Sequence, residues 1–165
     1  MTEANLGDGI FPAPEFLSKG GKISIGSDSH ISINPFSELR MIEYGQRLTR
    51  RARAVLCDES FSTGTFLARQ VISAGSQTLS RNLNDDGGIA IGNFADLIVV
   101  NERELGLPHG QIDRAWDKLI FFESQPTVEQ TWVGGRKVYD AQNRSRWLNP
   151  SDAFLRATQI SQSGK

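Results

Sequence analysis

The sequence has few of the residues that build disulfide frameworks, metal clusters or membrane spans. Its 165 residues include one cysteine, Cys57, and two histidines, His30 and His109. A single cysteine cannot form an internal disulfide, and the sequence shows neither a signal peptide nor an apolar run of spanning length. These absences predict a cytoplasmic protein without membrane partners.

An excess of charge of either sign is also lacking. The chain has 18 Lys and Arg against 19 Asp and Glu, a formal net charge of −1. This balance gives no electrostatic basis for binding nucleic acid or an anionic membrane. Arginines do cluster within Arg47–Arg53, but Glu38 and Glu43 lie on the same predicted helix, so we expect a solvated polar face rather than a phosphate site.

What is present centres on Lys22–His30, a short apolar strand that breaks at Gly26 and is followed by Asp28. Barrel enzymes place catalytic or metal-binding groups directly after strands. Structural loops show the same pattern, with an Asp that caps a helix or bonds backbone N–H groups. On these nine residues alone, the structural interpretation is favoured.

The neighbouring patterns predict a loop over residues 1–21, a strand at Lys22–Ile25 and a helix that Asn34 caps and Pro35 begins. The helix should bury one apolar stripe, formed by Met41, Tyr44, Leu48, Ala52 and Val55. Gly45 within it indicates close packing against a neighbour.

Further along, the sequence predicts five elements. They are a helix over Thr63–Ala74 ended by Gly75, a buried strand over Phe94–Val100, an amphipathic helix over Ile112–Ile120, a hairpin of 128–133 and 136–139 around Gly134-Gly135, and a last helix from Pro150. A change of composition near 84–88 marks a domain boundary.

Three motifs resemble a known family. They are TEANLGDGIFP at 2–12, ISIGSDSHISINPFSELRMIEYGQRLTRRAR at 23–53 and GNFADLIVV at 92–100. The first two closely resemble the C-terminal part of the formimidoylglutamate deiminases, a family within the amidohydrolase superfamily. The third resembles the general signature of that superfamily, and its Asp96 is interpreted as structural.

The resemblance implies an α/β plus β fold class. Residues 1–84 would be the last strand and helices of a metal-dependent (β/α)8 barrel, and residues 85–165 part of the β-rich outer sandwich domain with a C-terminal helix. A whole barrel takes about 250 residues, so we expect a C-terminal portion of a longer enzyme. The strand Lys22–Ile25 would then keep an unpaired edge, which favours self-association or binding of the missing N-terminal segment.

The resemblance also implies the chemistry. Asp28 matches the family's last metal ligand, which binds a zinc ion and takes a proton from the attacking water. The reaction implied is N-formimidoyl-L-glutamate plus water giving N-formyl-L-glutamate and ammonia, a step of histidine degradation. The sequence has no His-x-His motif, so the other ligands would precede Met1, and we expect the chain alone to be inactive and to retain no zinc.

Other interpretations remain open. The chain could be a non-catalytic α+β binding or assembly module derived from an amidohydrolase, or part of a deaminase acting on another amidine or a purine ring. His30 could pair with Asp28 in an improvised metal site, although a solvent-facing loop histidine is favoured. His109 has no ligand-type neighbours, and Cys57 is interpreted as a small buried hydrophobe. The substrate-binding residues are not identified.

Overall fold

The computed structural model describes residues 1–79, 87–107, 111–122 and 128–146. Its contacts divide the chain into two compact units, Met1–Asn93 with Glu102–Pro126, and Phe94–Asn101 with Thr127–Lys165. The segment 102–126 therefore belongs with the first unit, whereas the sequence grouped it with the rest of 85–165. The predicted division into residues 1–84 and 85–165 stays a prediction about the parent fold.

The first unit is helical in its described part. Its helices are α1 (Thr2–Leu6), α2 (Ala13–Ser18), α3 (Pro35–Arg50), α4 (Thr63–Leu79), α5 (Glu102–Leu105) and α6 (Ala115–Phe121), the last preceded by a 3-10 turn at Ile112–Arg114. The loop predicted over residues 1–21 is therefore wrong in part. α1 ends at Gly7, whose left-handed backbone (φ 77°) lets its N–H donate to the Glu3 carbonyl oxygen at 2.9 Å.

The start of α3 confirms the prediction. Asn34 Oδ1 accepts hydrogen bonds from the backbone N–H groups of Phe36 (2.9 Å) and Ser37 (3.4 Å), and Pro35 occupies the first helical position. Arg51 ends the helix in a left-handed conformation (φ 53°). The predicted stripe residues Ala52 and Val55 therefore lie beyond the helix.

The buried face of α3 differs from the predicted stripe. Met41, Tyr44 and Leu48 are exposed, Leu48 by 77%, while Leu39, Glu43 and Gln46 are buried. The prediction of an apolar core stripe is wrong because two polar residues face inward. Each has hydrogen-bond partners there, and a pattern of apolar residues cannot reveal such partners.

The core of the first unit lies between α3, α4 and α6. Five buried side chains form it, namely Ala13, Leu39, Leu56, Leu67 and Ile120. α4 continues through Gly75 to Leu79, so the predicted end at Ala74 is wrong. The helix predicted over Ile112–Ile120 is confirmed, with the 3-10 turn as its beginning.

α4 and α6 pack closely against each other at Gly64. A Cβ atom on Gly64 would lie 2.5 Å from the backbone nitrogen of Asp117, so the site requires glycine. The Gly64 N–H donates to Asp117 Oδ1 at 2.7 Å. Asp117 thereby satisfies a free donor at the N-terminus of α4.

The second unit contains an antiparallel sheet of β1 (Leu97–Val100), β2 (Val128–Val133) and β3 (Arg136–Asp140), in the order β1-β2-β3. The predicted hairpin is confirmed, because Gly134 (φ 55°) and Gly135 (φ 73°) both have positive φ in its turn. Asp96 Oδ1 accepts a hydrogen bond from the Gly134 N–H at 2.7 Å. Asp96 is therefore structural, as predicted.

The strand predicted over Phe94–Val100 is shorter and more exposed than expected. β1 begins at Leu97, and Phe94 and Ile98 are exposed. β3 is followed by 3-10 turns over Ala141–Arg146, which are interrupted at Asn143. The helix predicted from Pro150 lies outside the described residues, and none of the described helices has the length and apolarity to cross a membrane.

Candidate functional site

The segment that leads to the candidate site is Lys22–Ile25. It forms no β-ladder with the described part of the chain, so the strand is not present as a hydrogen-bonded element. Its side chains still alternate, since Ile23 and Ile25 pack against the core of the first unit and Lys22 and Ser24 are exposed. The alternation of buried and exposed side chains, from which the strand was predicted, is confirmed. The pairing of this segment with a neighbouring strand is not found among the described residues.

Asp28 lies in a tight turn directly after this segment. The turn is closed by the His30 N–H, which donates to the Ser27 carbonyl oxygen at 2.8 Å. Asp28 (φ 42°) and His30 (φ 60°) both have left-handed backbones, a conformation that costs an L-residue about 1–2 kcal/mol. Both side chains are exposed, which confirms His30 as a solvent-facing loop histidine.

The Asp28 carboxylate is exposed and has no bonded neighbour in the described part of the chain. It makes no hydrogen bond or ion pair with another of the described residues, and those residues contain no group of three or more potential metal-binding His, Cys, Asp or Glu side chains. An exposed carboxylate oxygen is a suitable zinc ligand. The described residues thus fit one position of a metal site and do not form a complete one.

A contact that the sequence did not reveal joins this turn to α1. The hydroxyls of Thr2 and Ser29 share a hydrogen bond of 2.8 Å, in which either can donate. Thr2 is buried, with 8% of its surface exposed, whereas Ser29 is exposed. No local pattern signals a bond between residues so far apart in sequence. Ser29 directly follows Asp28, so this bond lies next to the candidate ligand along the chain.

A cavity of about 470 Å³ lies beside the same segment. Lys22–Gly26 forms one wall, and Ile10, Phe11, Met41 and Gly45 contribute to the others. A Cβ atom on Gly45 would lie 3.1 Å from Ile10 Cγ2, which confirms the close packing predicted there. The lining reaches Gly26, two residues before Asp28, so the cavity and the turn are adjacent along the chain.

A second carboxylate of the first unit has a different environment. Glu43 is fully buried, and its Oε1 accepts from Arg47 Nε (2.7 Å) and the Val55 N–H (3.0 Å), while its Oε2 accepts from the Leu56 N–H (2.9 Å). The Arg47 guanidinium lies over the Phe121 ring. We call Glu43, Arg47, Val55 and Leu56 the Glu43 cluster.

This cluster corrects the interpretation of the arginine-rich segment. The solvated polar face expected from Glu38 and Glu43 is wrong for Glu43, because three donors from α3 and the following loop converge on its buried carboxylate. These contacts hold the loop after α3 against the helix. They make Glu43 a structural group.

Two further residues were singled out in the sequence, Cys57 and His109. Cys57 is exposed and its thiol donates to the Ala54 carbonyl oxygen at 2.9 Å, so its interpretation as a buried hydrophobe is wrong. It follows the left-handed Ala54 (φ 51°), and this loop conformation turns the thiol outward. His109 lies outside the described residues.

Comparison with known proteins supplies the context for Asp28. The model of the Amidohydrolase family matches residues 1–138. Over 138 residues the chain is 41% identical to the formimidoylglutamate deiminase of Pseudomonas aeruginosa, a match that covers 83% of this chain and 30% of that protein. It is 32% identical over 99 residues to the 5-methylthioadenosine/S-adenosylhomocysteine deaminase of Desulfitobacterium hafniense, covering 58% and 21% of the two chains.

A solved structure shows the same likeness in three dimensions. The crystal structure of an amidohydrolase from Brucella melitensis superposes with a TM-score of 0.72 at 40% identity, over 84% of this chain and 30% of that one. The chain therefore spans less than a third of the length of the proteins it resembles.

Proposed function

The chain belongs to the amidohydrolase family, and from that premise we propose that it is the portion of a formimidoylglutamate deiminase that supplies Asp28 to the metal centre. The observation that carries the proposal is the 41% identity to such a deiminase over 138 residues, together with the family match over residues 1–138, which includes the Asp28 turn. An exposed carboxylate without a partner among the described residues agrees with it.

The architecture proposed follows from the same likeness. Residues 1–84 would close a (β/α)8 barrel, and residues 85–165 would form part of the β-rich outer domain. Lys22–Ile25 would be the last barrel strand, paired with strands from outside the described residues. The alternating burial of its side chains supports that assignment, since only one side of the segment packs against the helices.

The chemistry proposed assigns two tasks to Asp28. Its carboxylate would hold one coordination position of a divalent metal, zinc in our proposal, whose other ligands come from outside the described residues. A zinc ion bound there would supply Lewis acidity and lower the pKa of a coordinated water to about 7. Asp28 would also accept a proton from the attacking water during hydrolysis of the formimidoyl group to the formyl group and ammonia.

The decisive test is Asp28→Asn in the complete enzyme, with His30→Ala as the matched control from the same turn. We expect kcat/KM for N-formimidoyl-L-glutamate to fall by about three orders of magnitude or more in the Asp28 variant, together with loss of bound metal, because one group both binds metal and accepts a proton. His30→Ala should cost far less. Near-normal activity and metal content in Asp28→Asn, or a larger loss in His30→Ala, would refute the assignment.

The substrate needs its own comparison, because the chain also resembles a deaminase of a purine nucleoside. We therefore expect ammonia release from N-formimidoyl-L-glutamate and none from 5-methylthioadenosine in the complete enzyme. Preference for the nucleoside would still support hydrolytic release of ammonia, and it would refute N-formimidoyl-L-glutamate as the substrate. The 165-residue chain alone should release no ammonia above a zinc-only blank.

We also propose that the isolated chain self-associates unless the rest of the enzyme is present. Ile10, Phe11 and Met41 are exposed around the 470 Å³ cavity, and Lys22–Ile25 has no ladder partner among the described residues. Unpaired edges and exposed apolar surface favour association. Light scattering over a range of concentrations measures it, and a clean monomer throughout would contradict it.

A further inference from the structure

Among the described residues, one hydrogen bond joins the turn that presents Asp28 to another element of the chain. Thr2 and Ser29 share their hydrogen bond of 2.8 Å across 27 positions of sequence, and Thr2 is 92% buried at the start of α1. The only other bond within the turn that involves its backbone is the one from the His30 N–H to the Ser27 carbonyl oxygen, among the described residues. Ser29 lies between two left-handed residues, Asp28 and His30.

We propose that Thr2 is a positioning residue for Asp28, acting through the Ser29 hydroxyl. A left-handed conformation in a residue other than glycine persists only where surrounding contacts enforce it. The Thr2 bond is the hydrogen bond that reaches this turn from another element of the described chain. It fixes the residue next to Asp28 and so sets the direction in which the carboxylate points.

The expected effect on metal binding rests on the proposed function, in which Asp28 is a metal ligand. A ligand that is already held in place loses less conformational freedom when it binds the metal, so the metal binds more tightly. Thr2 itself touches neither metal nor substrate in this account. Its effect should therefore appear in the conformation of the turn and in metal affinity, and the hydroxyl should be the group responsible. Replacing Thr2 by Ser keeps the hydroxyl, whereas Val keeps the shape and removes it.

The first measurement uses the whole 165-residue chain without metal. Nuclear magnetic resonance of Thr2→Val, Thr2→Ser and Ser29→Ala reports the backbone angle of Asp28 through its three-bond coupling and Cα and Cβ shifts. We expect Thr2→Val and Ser29→Ala to move these values toward those of a flexible loop, and Thr2→Ser to keep them. Thr49→Val is the matched control, since it removes a hydroxyl that donates to the Gly45 carbonyl oxygen on α3.

The second measurement is the zinc dissociation constant of the complete enzyme by chelator competition. We expect Thr2→Val to weaken zinc binding about tenfold, as loss of one hydrogen bond can do, and Thr2→Ser to restore it. The double variant Thr2→Val with Ser29→Ala should be no weaker than either single variant, because both remove the same bond.

The outcomes separate this inference from the proposed function. Unchanged Asp28 couplings in Thr2→Val, or a loss that Thr2→Ser does not rescue, would overturn the positioning role whatever Asp28 does. If Asp28→Asn leaves bound zinc unchanged, the proposed function fails, and the role of Thr2 in metal binding fails with it. Strictly additive effects of Thr2→Val and Ser29→Ala would overturn the route through Ser29.

Discussion

Two carboxylates of the first unit show how differently one chemical group is used. Glu43 is fully buried and accepts three hydrogen bonds at 2.7–3.0 Å from Arg47, Val55 and Leu56. Asp28 is exposed, accepts no hydrogen bond from the described residues and sits on a left-handed backbone. The first carboxylate holds two parts of the chain together, and the second bonds to none of the residues that the structure describes.

The two carboxylates differ in how much each contributes to the stability of the fold, and this difference indicates a different role for each. A buried carboxylate whose two oxygens both accept hydrogen bonds holds its partners in place, and removing it leaves those partners unpaired. A carboxylate that contributes no contact, on a backbone conformation that costs free energy, is a candidate for binding or catalysis. The contrast between the two groups therefore supports the assignment that the likeness to a deiminase carries.

The largest loss of folding stability should come from Glu43→Ala. It leaves the Arg47 guanidinium and the N–H groups of Val55 and Leu56 without their acceptor. Breaking a buried pair in this way costs about 3–5 kcal/mol, a large share of the stability of a typical domain. Urea denaturation of the 165-residue chain measures the loss.

Glu43→Gln is the control for that experiment. It preserves the shape and one carbonyl oxygen, so it should lose less than Glu43→Ala, with the Arg47 pair weakened. If both variants unfold at the urea concentration of the unaltered chain, the Glu43 cluster does not stabilise the fold and the contrast with Asp28 collapses.

An intermediate effect is expected at Asp117, which is partly buried and accepts one hydrogen bond, from the Gly64 N–H at 2.7 Å. Asp117→Ala removes the acceptor of the Gly64 N–H at the N-terminus of α4. Loss of such an acceptor typically lowers the free energy of unfolding by about 1 kcal/mol. Asp113→Ala, at an exposed position of the preceding 3-10 turn, is the control and should be nearly neutral. Equal losses in the two variants would mean that the bond to Gly64 contributes nothing.

The sequence predicted the local features of this fold and missed the distant ones. The cap at Asn34 and the turn at Gly134-Gly135 depend on neighbouring residues, and both were predicted correctly. The buried side of α3 depends on which donors reach Glu43 from the loop after the helix, so no periodic pattern could identify it. Cys57 is exposed for a related reason, since its loop conformation is set by contacts rather than by its hydrophobicity.

The candidate site also combines a feature that neighbouring residues predict with one that depends on a distant contact. The placement of Asp28 directly after an apolar segment was readable from residues 22–30, because chain order alone fixes it. The Thr2–Ser29 bond was not, since it joins α1 to the turn across 27 positions and neither residue type is unusual where it stands. Sequence identified the group that could act, and the structure was needed to find what positions it.

The smallest effect on stability should come from Asp28→Asn. Asn adopts left-handed backbones about as readily as Asp, so this substitution changes the charge and leaves the turn intact. Because the carboxylate has no partner among the described residues, the free energy of unfolding should change by no more than about 0.5 kcal/mol. Asp28→Ala, which retains a Cβ atom but lacks the polar group that eases a left-handed backbone, should lose about 1 kcal/mol in the same urea titration. A loss in Asp28→Asn as large as that in Asp117→Ala would show that the Asp28 carboxylate supports the fold, and the contrast with Glu43 would no longer support its functional assignment.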